Sequence, residues 1–215
     1  MKVVVFGASG GVGAHLVQLA SGAGHEVTAV SRRPIPLPPR AKLITGDVLD
    51  PPVVDQAIRG QDAVLSALGI RRKNHANPMS ALASPPQLTE RTARSIVGAM
   101  RRHAVDRVIA VSASGIGDSR PGLNAMMRFM VRYTNVGANY RDLEEMEKVY
   151  AASGLDWCCV RPTGLKNGPV ARRVVQLDSF PFNAWISRAD VAWWMVEHLQ
   201  ADLARHRTPT ISEAK

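Results

Sequence analysis

Val3-Val4-Val5-Phe6-Gly7-Ala8-Ser9-Gly10-Gly11-Val12-Gly13 is the stretch on which the fold turns. A short β-branched apolar run gives way to four glycines, and helical periodicity follows at once through Leu16, Val17, Leu19 and Ala20. Apolar residues at every position, not at alternate ones, read as a strand over 2–6 covered on both faces, as in the middle of a parallel sheet. Gly7 allows a turn where a Cβ would collide. Gly10 and Gly11 leave backbone amides open to a ligand, and Gly13 lets the next helix, expected over 11–21, sit close to the sheet. The first N–H groups of that helix lack partners within it and carry the positive end of its dipole, so the turn suits a phosphate. Strand, glycine turn and helix N-terminus together form a dinucleotide-phosphate site, with Gly7, Ser9, Gly10, Gly11, Val12 and Gly13 as its expected residues. The spacing is G-x-x-G-x-x-G, not the G-x-G-x-x-G of the common dehydrogenase fingerprint.

A chain of 215 residues supports one well-packed domain and is short for two. With 46% hydrophobic and 21% charged residues it has an ordinary globular composition. No apolar stretch approaches the roughly 20 residues that span a bilayer, and the run before Gly7 is too short for the core of a secretion signal. No membrane segment and a cytoplasmic location are therefore expected. Cys158 and Cys159 are neighbours on an expected strand and point to opposite faces, which argues against a disulfide between them. The six histidines form no ligand motif, so no metal is expected. Much of the net charge of +9 sits in arginine pairs at 32–33, 71–72, 101–102 and 172–173. These are dispersed and the chain has few aromatic residues, a pattern that suits a basic surface and an anion-binding cleft and does not suit nucleic acid.

Strand-like and helical patterns alternate along the chain. After the first strand and helix come strands over 26–30 and 41–45, a helix over 51–59 and a strand over 62–67. A helix over 86–103, a strand over 107–111, helical residues over 123–152 and a strand over 155–160 follow. The tail reads as a strand over 172–177, a helix over 187–199 and an edge strand near 209–211. Alternation of this kind predicts an α/β fold, a mostly parallel sheet with helices on both faces, whose strand ends converge on one ligand-binding edge. Four prolines between Arg33 and Arg40 forbid a helix in the second crossover. The polar segments 69–85 and 112–122 read as loops leaving strand ends, the first of them mobile. No linker divides the chain, so residues 1–215 are expected to form one domain with a small substrate-side segment over about 165–215.

The second strand indicates which cofactor is expected. In NAD sites an Asp or Glu about 20 residues past the glycines holds the ribose 2′-hydroxyl, whereas an arginine there accommodates a 2′-phosphate. Here Ser31-Arg32-Arg33 follows the strand, and no carboxylate occurs from Val27 to Gly46. Arg32 and Arg33 can grip a phosphate through paired N–H donors and stack on adenine. NADP(H) is therefore expected over NAD(H).

Gly7–Gly13, Gly46-Asp47-Val48, Asp62–Gly69, Val111-Ser112-Ala113-Ser114, Ser153-Gly154-Leu155, Arg161-Pro162-Thr163-Gly164 and Ser187-Arg188-Ala189-Asp190-Val191-Ala192 occur in that order. Together they resemble the atypical short-chain dehydrogenase/reductases. Within these, the chain is similar to the NAD(P)H-binding branch that includes flavin reductase/biliverdin-IXβ reductase and NmrA-like proteins. The resemblance covers nearly the whole chain and implies a Rossmann-type domain. It places Asp47 and Val48 at the adenine, and Ala67, Leu68 and Gly69 beneath the ribose and pyrophosphate. It places Ser112 or Ser114 near the nicotinamide, and the backbone of Pro162, Thr163 and Gly164 at the carboxamide edge. Arg188 and Asp190 it makes structural.

The departures from the family pattern bear on chemistry. Short-chain dehydrogenases that interconvert alcohols and ketones use a Tyr-x-x-x-Lys pair, in which the lysine lowers the phenol pKa. Here Tyr133, Tyr140 and Tyr150 are followed four residues on by Gly137, Glu144 and Gly154. The flavin/biliverdin reductase pattern has a histidine after the sixth strand's proline, where this chain has Thr163. Hydride transfer to a flavin- or quinone-like acceptor needs mainly proximity and stacking, and solvent can supply the proton. The expected activity is thus NADPH-dependent reduction of such a small molecule by a monomer or homodimer, with Ser112, Ser114 and Tyr140 as candidate catalytic residues. Arg71, Arg72 and Lys73 are candidates to attract the acceptor's anionic groups. A non-catalytic NADP(H)-binding sensor or scaffold is the competing expectation. A sugar-nucleotide epimerase or dehydratase is disfavoured, because those enzymes also depend on the Tyr/Lys pair.

Overall fold

Hydrophobicity on both sides puts β1 (Lys2–Phe6) at the centre of the sheet. Val3 and Val5 enter one apolar cluster, Val4 and Phe6 enter the other, and all four are fully buried. The computed structural model describes residues 1–74, 76–178, 183–202 and 207–214. β1 pairs in parallel with β2 (Glu26–Ser31) on one side and with β4 (Ala63–Ser66) on the other. Outside β2 lies β3 (Ala41–Thr45). Outside β4 come β5 (Arg107–Val111), β6 (Asp156–Pro162), β10 (Thr210–Glu213) and β8 (Val174–Leu177), giving the order β3-β2-β1-β4-β5-β6-β10-β8. Among the described residues of this sheet, only the β10–β8 pairing is antiparallel. The strand order reverses between β1 and β4, and a ligand crevice opens at the carboxyl ends of the strands at such a reversal.

Helices cover both faces. α1 (Gly11–Gly22) and α6 (Arg188–Glu197) pack on the face of Val3 and Val5. α2 (Pro51–Ile58), α3 (Leu88–Arg102) and α5 (Val136–Ala151) pack on the face of Val4 and Phe6, and α4 (Ala125–Tyr133) lies against α5. The α/β class, the parallel sheet and the helix-free crossover from β2 to β3 are as the sequence leads one to expect. Cys158 and Cys159 enter opposite clusters as free, buried thiols, and burial pushes both well above their ordinary range.

Four boundaries differ from expectation for identifiable reasons. The helix expected over 86–103 begins at Leu88, because Pro85, Pro86 and Gln87 precede its first turn. The long helical stretch over 123–152 breaks at Thr134 and Asn135, and the Gly137 that follows is pressed so close to Val131 that a Cβ would lie 1.9 Å from its carbonyl oxygen. A two-stranded parallel sheet, β7 (Gly164–Lys166) with β9 (Trp185–Ser187), has no counterpart in the sequence reading, since three-residue strands carry almost no periodic signal. Segment 69–85, expected as a mobile loop, doubles back through an Arg72–Leu82 antiparallel bridge flanked by Lys73 N–H to Ala81 O at 2.9 Å and Ala83 N–H to Arg71 O at 2.7 Å. Asn135 anchors it by donating to the carbonyls of Met79 and Ser80. The segment 165–215, expected from the sequence on the substrate side, is described except for 179–182, 203–206 and 215, which lie outside the described residues. Among the described residues no helix is long and apolar enough to cross a membrane.

One carboxylate ties α5 to the start of α3. Gln87 gives α3 no side-chain cap, and the buried Asp142 of α5 instead accepts from the N–H groups of Thr89 at 2.8 Å and Glu90 at 3.0 Å. Asp142→Ala removes the acceptor of the buried Thr89 N–H and of the half-buried Glu90 N–H. It is expected to lower unfolding stability by about 2 kcal/mol, read as a reduced denaturation midpoint in urea at unchanged m-value.

Candidate cofactor and active-site cleft

The turn after β1 is held by contacts that admit no side chain. Gly7 has φ +79°, and a Cβ there would lie 2.7 Å from the carbonyl oxygen of Ala67 at the end of β4. A Cβ on Gly13 would lie 2.0 Å from Gly7 O, so α1 rests directly on the turn. Gly10 donates to Gly7 O at 2.8 Å and serves as N-cap without a side chain, which leaves the first-turn N–H groups of α1 facing outward. Above this turn lies a cleft of about 740 Å³ at the carboxyl edge of β1, β2, β4 and β5. Glycines whose Cβ would fill the floor, open amides and a positive helix end form a cradle that fits the pyrophosphate of a dinucleotide.

The cleft brings most of the expected cofactor residues together. Gly7, Ser9, Gly10, Gly11, Val12, Arg32, Asp47, Val48, Ala67, Leu68 and Gly69 all line it. Gly13 lies beneath, in the contact that seats the helix. Arg33 is not among the lining residues; its backbone N–H donates to Ser31 Oγ at 3.3 Å. Asp47 is exposed at the rim, with Oδ1 accepting from Leu49 N–H at 2.9 Å. Pro162, Thr163 and Gly164 do not line the cleft. Thr163 is buried with its hydroxyl on Ser212, and Gly164 packs under the Trp185 ring, while the next residue, Leu165, does reach the cleft.

The two serines after β5 have different surroundings. Ser112 lines the cleft and its Oγ donates to Glu147 Oε1 at 2.5 Å. Ser114 is buried away from the cleft and donates to the Pro162 carbonyl at 2.8 Å. Tyr140 is half-buried against the apolar cluster, and burial raises its phenol pKa. Glu144, four residues on, pairs with Arg120, 2.6 Å away. The α5 side chains that do line the cleft are Asn139 and Leu143, four residues apart. Asn139 Oδ1 accepts from Ile70 N–H at 3.0 Å and so fixes the root of the 69–85 segment.

Sequence reasoning missed three contributors. Glu147 on α5 and Arg161 on β6 form a buried pair joined at 2.9 Å (Nε to Oε1) and 2.6 Å (Nη2 to Oε2), and Arg161 also donates to Asp118. Burial opposes the charge on Arg161, but Glu147 and Asp118 outweigh it and hold the guanidinium above its ordinary pKa; Arg161 in turn lowers that of Asp118. The signal was present: a carboxylate on the apolar stripe of a helix, and an arginine closing an apolar strand. The third contributor is Arg188. Asp190 is structural as expected, accepting from Ala171 N–H, Arg172 N–H and the Ser187 hydroxyl. Arg188, however, lines the cleft and crosses the glycine turn, its Cδ 2.6 Å from where a Gly11 Cβ would stand. Its guanidinium, held by Asn167 at 2.9 Å, adds a cation beside the helix N-terminus.

Comparison with known proteins agrees with this geometry. A sequence model of the NAD(P)H-binding family matches residues 7–202, and the chain belongs to that family. Among solved structures, the chain is similar to ChuY of Escherichia coli O157:H7, described as an anaerobillin reductase, with 24% identity, a TM-score of 0.77, and 100% of this chain and 98% of that one covered. It is similar to the oxidoreductase YlbE of Lactococcus lactis at 18% identity and TM-score 0.80, covering 100% and 92% of the two chains. A short-chain dehydrogenase/reductase of Veillonella parvula in complex with NADP shares 20% identity at TM-score 0.75, covering 99% and 94%. An uncharacterized Mycobacterium tuberculosis protein is 37% identical over 79 residues, which are 36% of this chain and only 9% of that relative.

Two substitutions test the architecture of the cleft. Gly13→Ala forces helix and turn apart and is expected to abolish NAD(P)H binding, measured by fluorescence titration, while also lowering the melting temperature. Glu147→Ala leaves Arg161 buried with only the exposed Asp118 as partner, and is expected to cost about 3–5 kcal/mol in chemical denaturation.

Proposed function

We propose that the protein is an NADPH-dependent reductase that passes hydride to a flavin- or quinone-like small molecule. The observation that carries this reading is the content of one continuous cleft. Cations and open amides occupy one end, and a wall of Val111, Ser112, Leu143 and Leu165 occupies the other, where neither a phenol nor an ammonium is among the lining residues. When bound, the reduced nicotinamide supplies the hydride. The protein's residues bind and orient: Ser9, Gly10, Gly11 and Arg188 hold the pyrophosphate, Arg32 takes the 2′-phosphate, and Asp47 accepts from the adenine amine. Apolar side chains at the far end exclude water and leave a planar face for stacking.

A conjugated acceptor can receive hydride there without a protein acid, whereas a simple ketone needs a positioned donor. Asn139 and Leu143, the α5 pair that lines the cleft, offer no proton of suitable acidity. Tyr140 has its phenol pKa raised, not lowered, and does not line the cleft. Similarity to a protein described as an anaerobillin reductase supports reductase chemistry of this broad kind. The same lack of an acid–base pair favours the second reading, a non-catalytic NADP(H)-binding sensor.

Oxidation of NADPH, followed at its absorbance band with FMN and then menadione, decides between the two. Acceptor-dependent oxidation supports the reductase, and tight NADPH binding without oxidation supports the sensor. Arg32→Ala is expected to weaken NADPH binding by about tenfold or more while leaving NADH binding little changed. Arg33→Ala is expected to have the smaller effect of the two.

A further inference from the structure

The direction of one hydrogen bond limits which acceptor the cleft can hold. Arg161 donates to both oxygens of Glu147, through Nε at 2.9 Å and Nη2 at 2.6 Å, so the carboxylate accepts on both. The Ser112–Glu147 contact of 2.5 Å therefore uses the serine's only proton, which points away from the cleft. What Ser112 presents to the cleft is a pair of oxygen lone pairs. Ser112, Glu147 and Arg161 are all buried, so water does not readily redistribute these roles. Asn139 is complementary: its carbonyl oxygen is occupied by Ile70 N–H, which leaves amide N–H groups as what it can offer a ligand. Among the residues that line the cleft, Ser112 thus stands as an acceptor and Asn139 as a donor.

We infer that Glu147, itself fixed by Arg161, holds Ser112 as a hydrogen-bond acceptor, and that the cleft thereby selects a conjugated heterocycle with an N–H beside a ring carbonyl, a flavin, over a quinone. The inference rests on the reductase reading and narrows it. A flavin's pyrimidine edge carries an imide, C=O, N–H, C=O, whose N–H meets Ser112 while a flanking carbonyl meets the Asn139 amide. A quinone carries carbonyls alone, and one placed against Ser112 sets two lone pairs against each other. Such a site rejects a ligand lacking the matching donor because its buried acceptor stays unpaired. The redox step balances without Ser112. A hydride with its electron pair leaves the dihydronicotinamide ring, giving NADP+, and forms an N–H bond at flavin N5. A solvent proton neutralises the charge left on the pyrimidine side. Glu147 and Arg161 touch neither reactant and are positioning residues; Ser112 fixes the acceptor and transfers no proton.

The test compares lumiflavin with 3-methyllumiflavin, which differs by a methyl group in place of the imide proton. With NADPH and the wild-type protein, kcat/KM for lumiflavin is expected to exceed that for the methylated flavin by about tenfold or more. That ratio is expected to fall to about one in Ser112→Ala, and to fall in Glu147→Gln, which disturbs the polarity of Ser112 while keeping the shape of the side chain. A merely structural role for Glu147 would lower both rates together and leave the ratio intact. A wild-type ratio near one, or a ratio that persists in Ser112→Ala, overturns the inference. So does a rise in KM for NADPH in Ser112→Ala at unchanged ratio, because it assigns the serine lone pair to the nicotinamide. If no acceptor is reduced although NADPH binds, the reductase reading fails on its own. The ratio is then read as the relative affinity of the two flavins for the NADP+-loaded protein, and equal affinities, or no binding of either, overturn the inference as well.

Discussion

Three backbone segments meet where β1 ends, and their closeness sets the geometry of everything around the cleft. Gly7 is within a Cβ's width of Ala67 at the end of β4, and Gly13 presses the first turn of α1 onto Gly7. Any side chain at either position would separate helix from strand, or one strand end from the next. Because the strand order reverses at this point, the same contact opens the crevice between the two halves of the sheet. A packing constraint of backbone against backbone therefore creates both the phosphate cradle and the space above it. Arg188 belongs to the same arrangement: with no Cβ on Gly11, its stem can lie across the turn and carry a guanidinium to the helix N-terminus.

That constraint is local, and for this reason it was legible in the sequence. The spacing of Gly7, Gly10, Gly11 and Gly13 after four apolar residues already carries the strand, turn and helix. Extended from there, period and proline content give the parallel sheet and the helix-free crossover between β2 and β3. What was not legible depends on long-range encounters. Three-residue strands such as β7 and β9 have no periodicity of their own and exist because distant segments pair. The 69–85 segment reads as a polar loop because its order comes from Asn135 and Asn139, more than fifty residues away along the chain. The break between α4 and α5 lay in plain view at Thr134, Asn135 and Gly137, but none of these residues forbids a helix outright.

The candidate site divides in the same way. The glycine-turn end of the cleft is assembled from short runs of consecutive residues at strand ends, so the sequence brings most of its lining into view, although Arg33, Pro162, Thr163 and Gly164 do not line it. The far end depends on side chains that meet only in three dimensions. Ser112 and Ser114, two residues apart on one loop, have the same chemistry in the sequence; only the positions of Glu147 and Pro162 separate their roles. In the sequence, Glu144 stands one helical turn from Tyr140. In the fold Glu144 serves Arg120, and burial alone shifts the phenol.

The Glu147–Arg161 pair raises a question of energetics with a functional side. Taking two charges out of water costs several kcal/mol per ion before their attraction repays it, and a well-packed apolar pair of equal volume is often as stable. Stability alone is thus a weak reason to bury a carboxylate beneath the cleft. What an apolar pair cannot do is impose a direction on the Ser112 hydroxyl. A serine with a neutral neighbour rotates to suit whatever approaches it, donating to a carbonyl or accepting from an N–H. A serine held by a carboxylate whose two oxygens already receive a guanidinium has one orientation. Where the Tyr/Lys pattern aims a donor at a substrate oxygen, this arrangement aims an acceptor. The two serve different substrates by the sign of a single hydrogen bond.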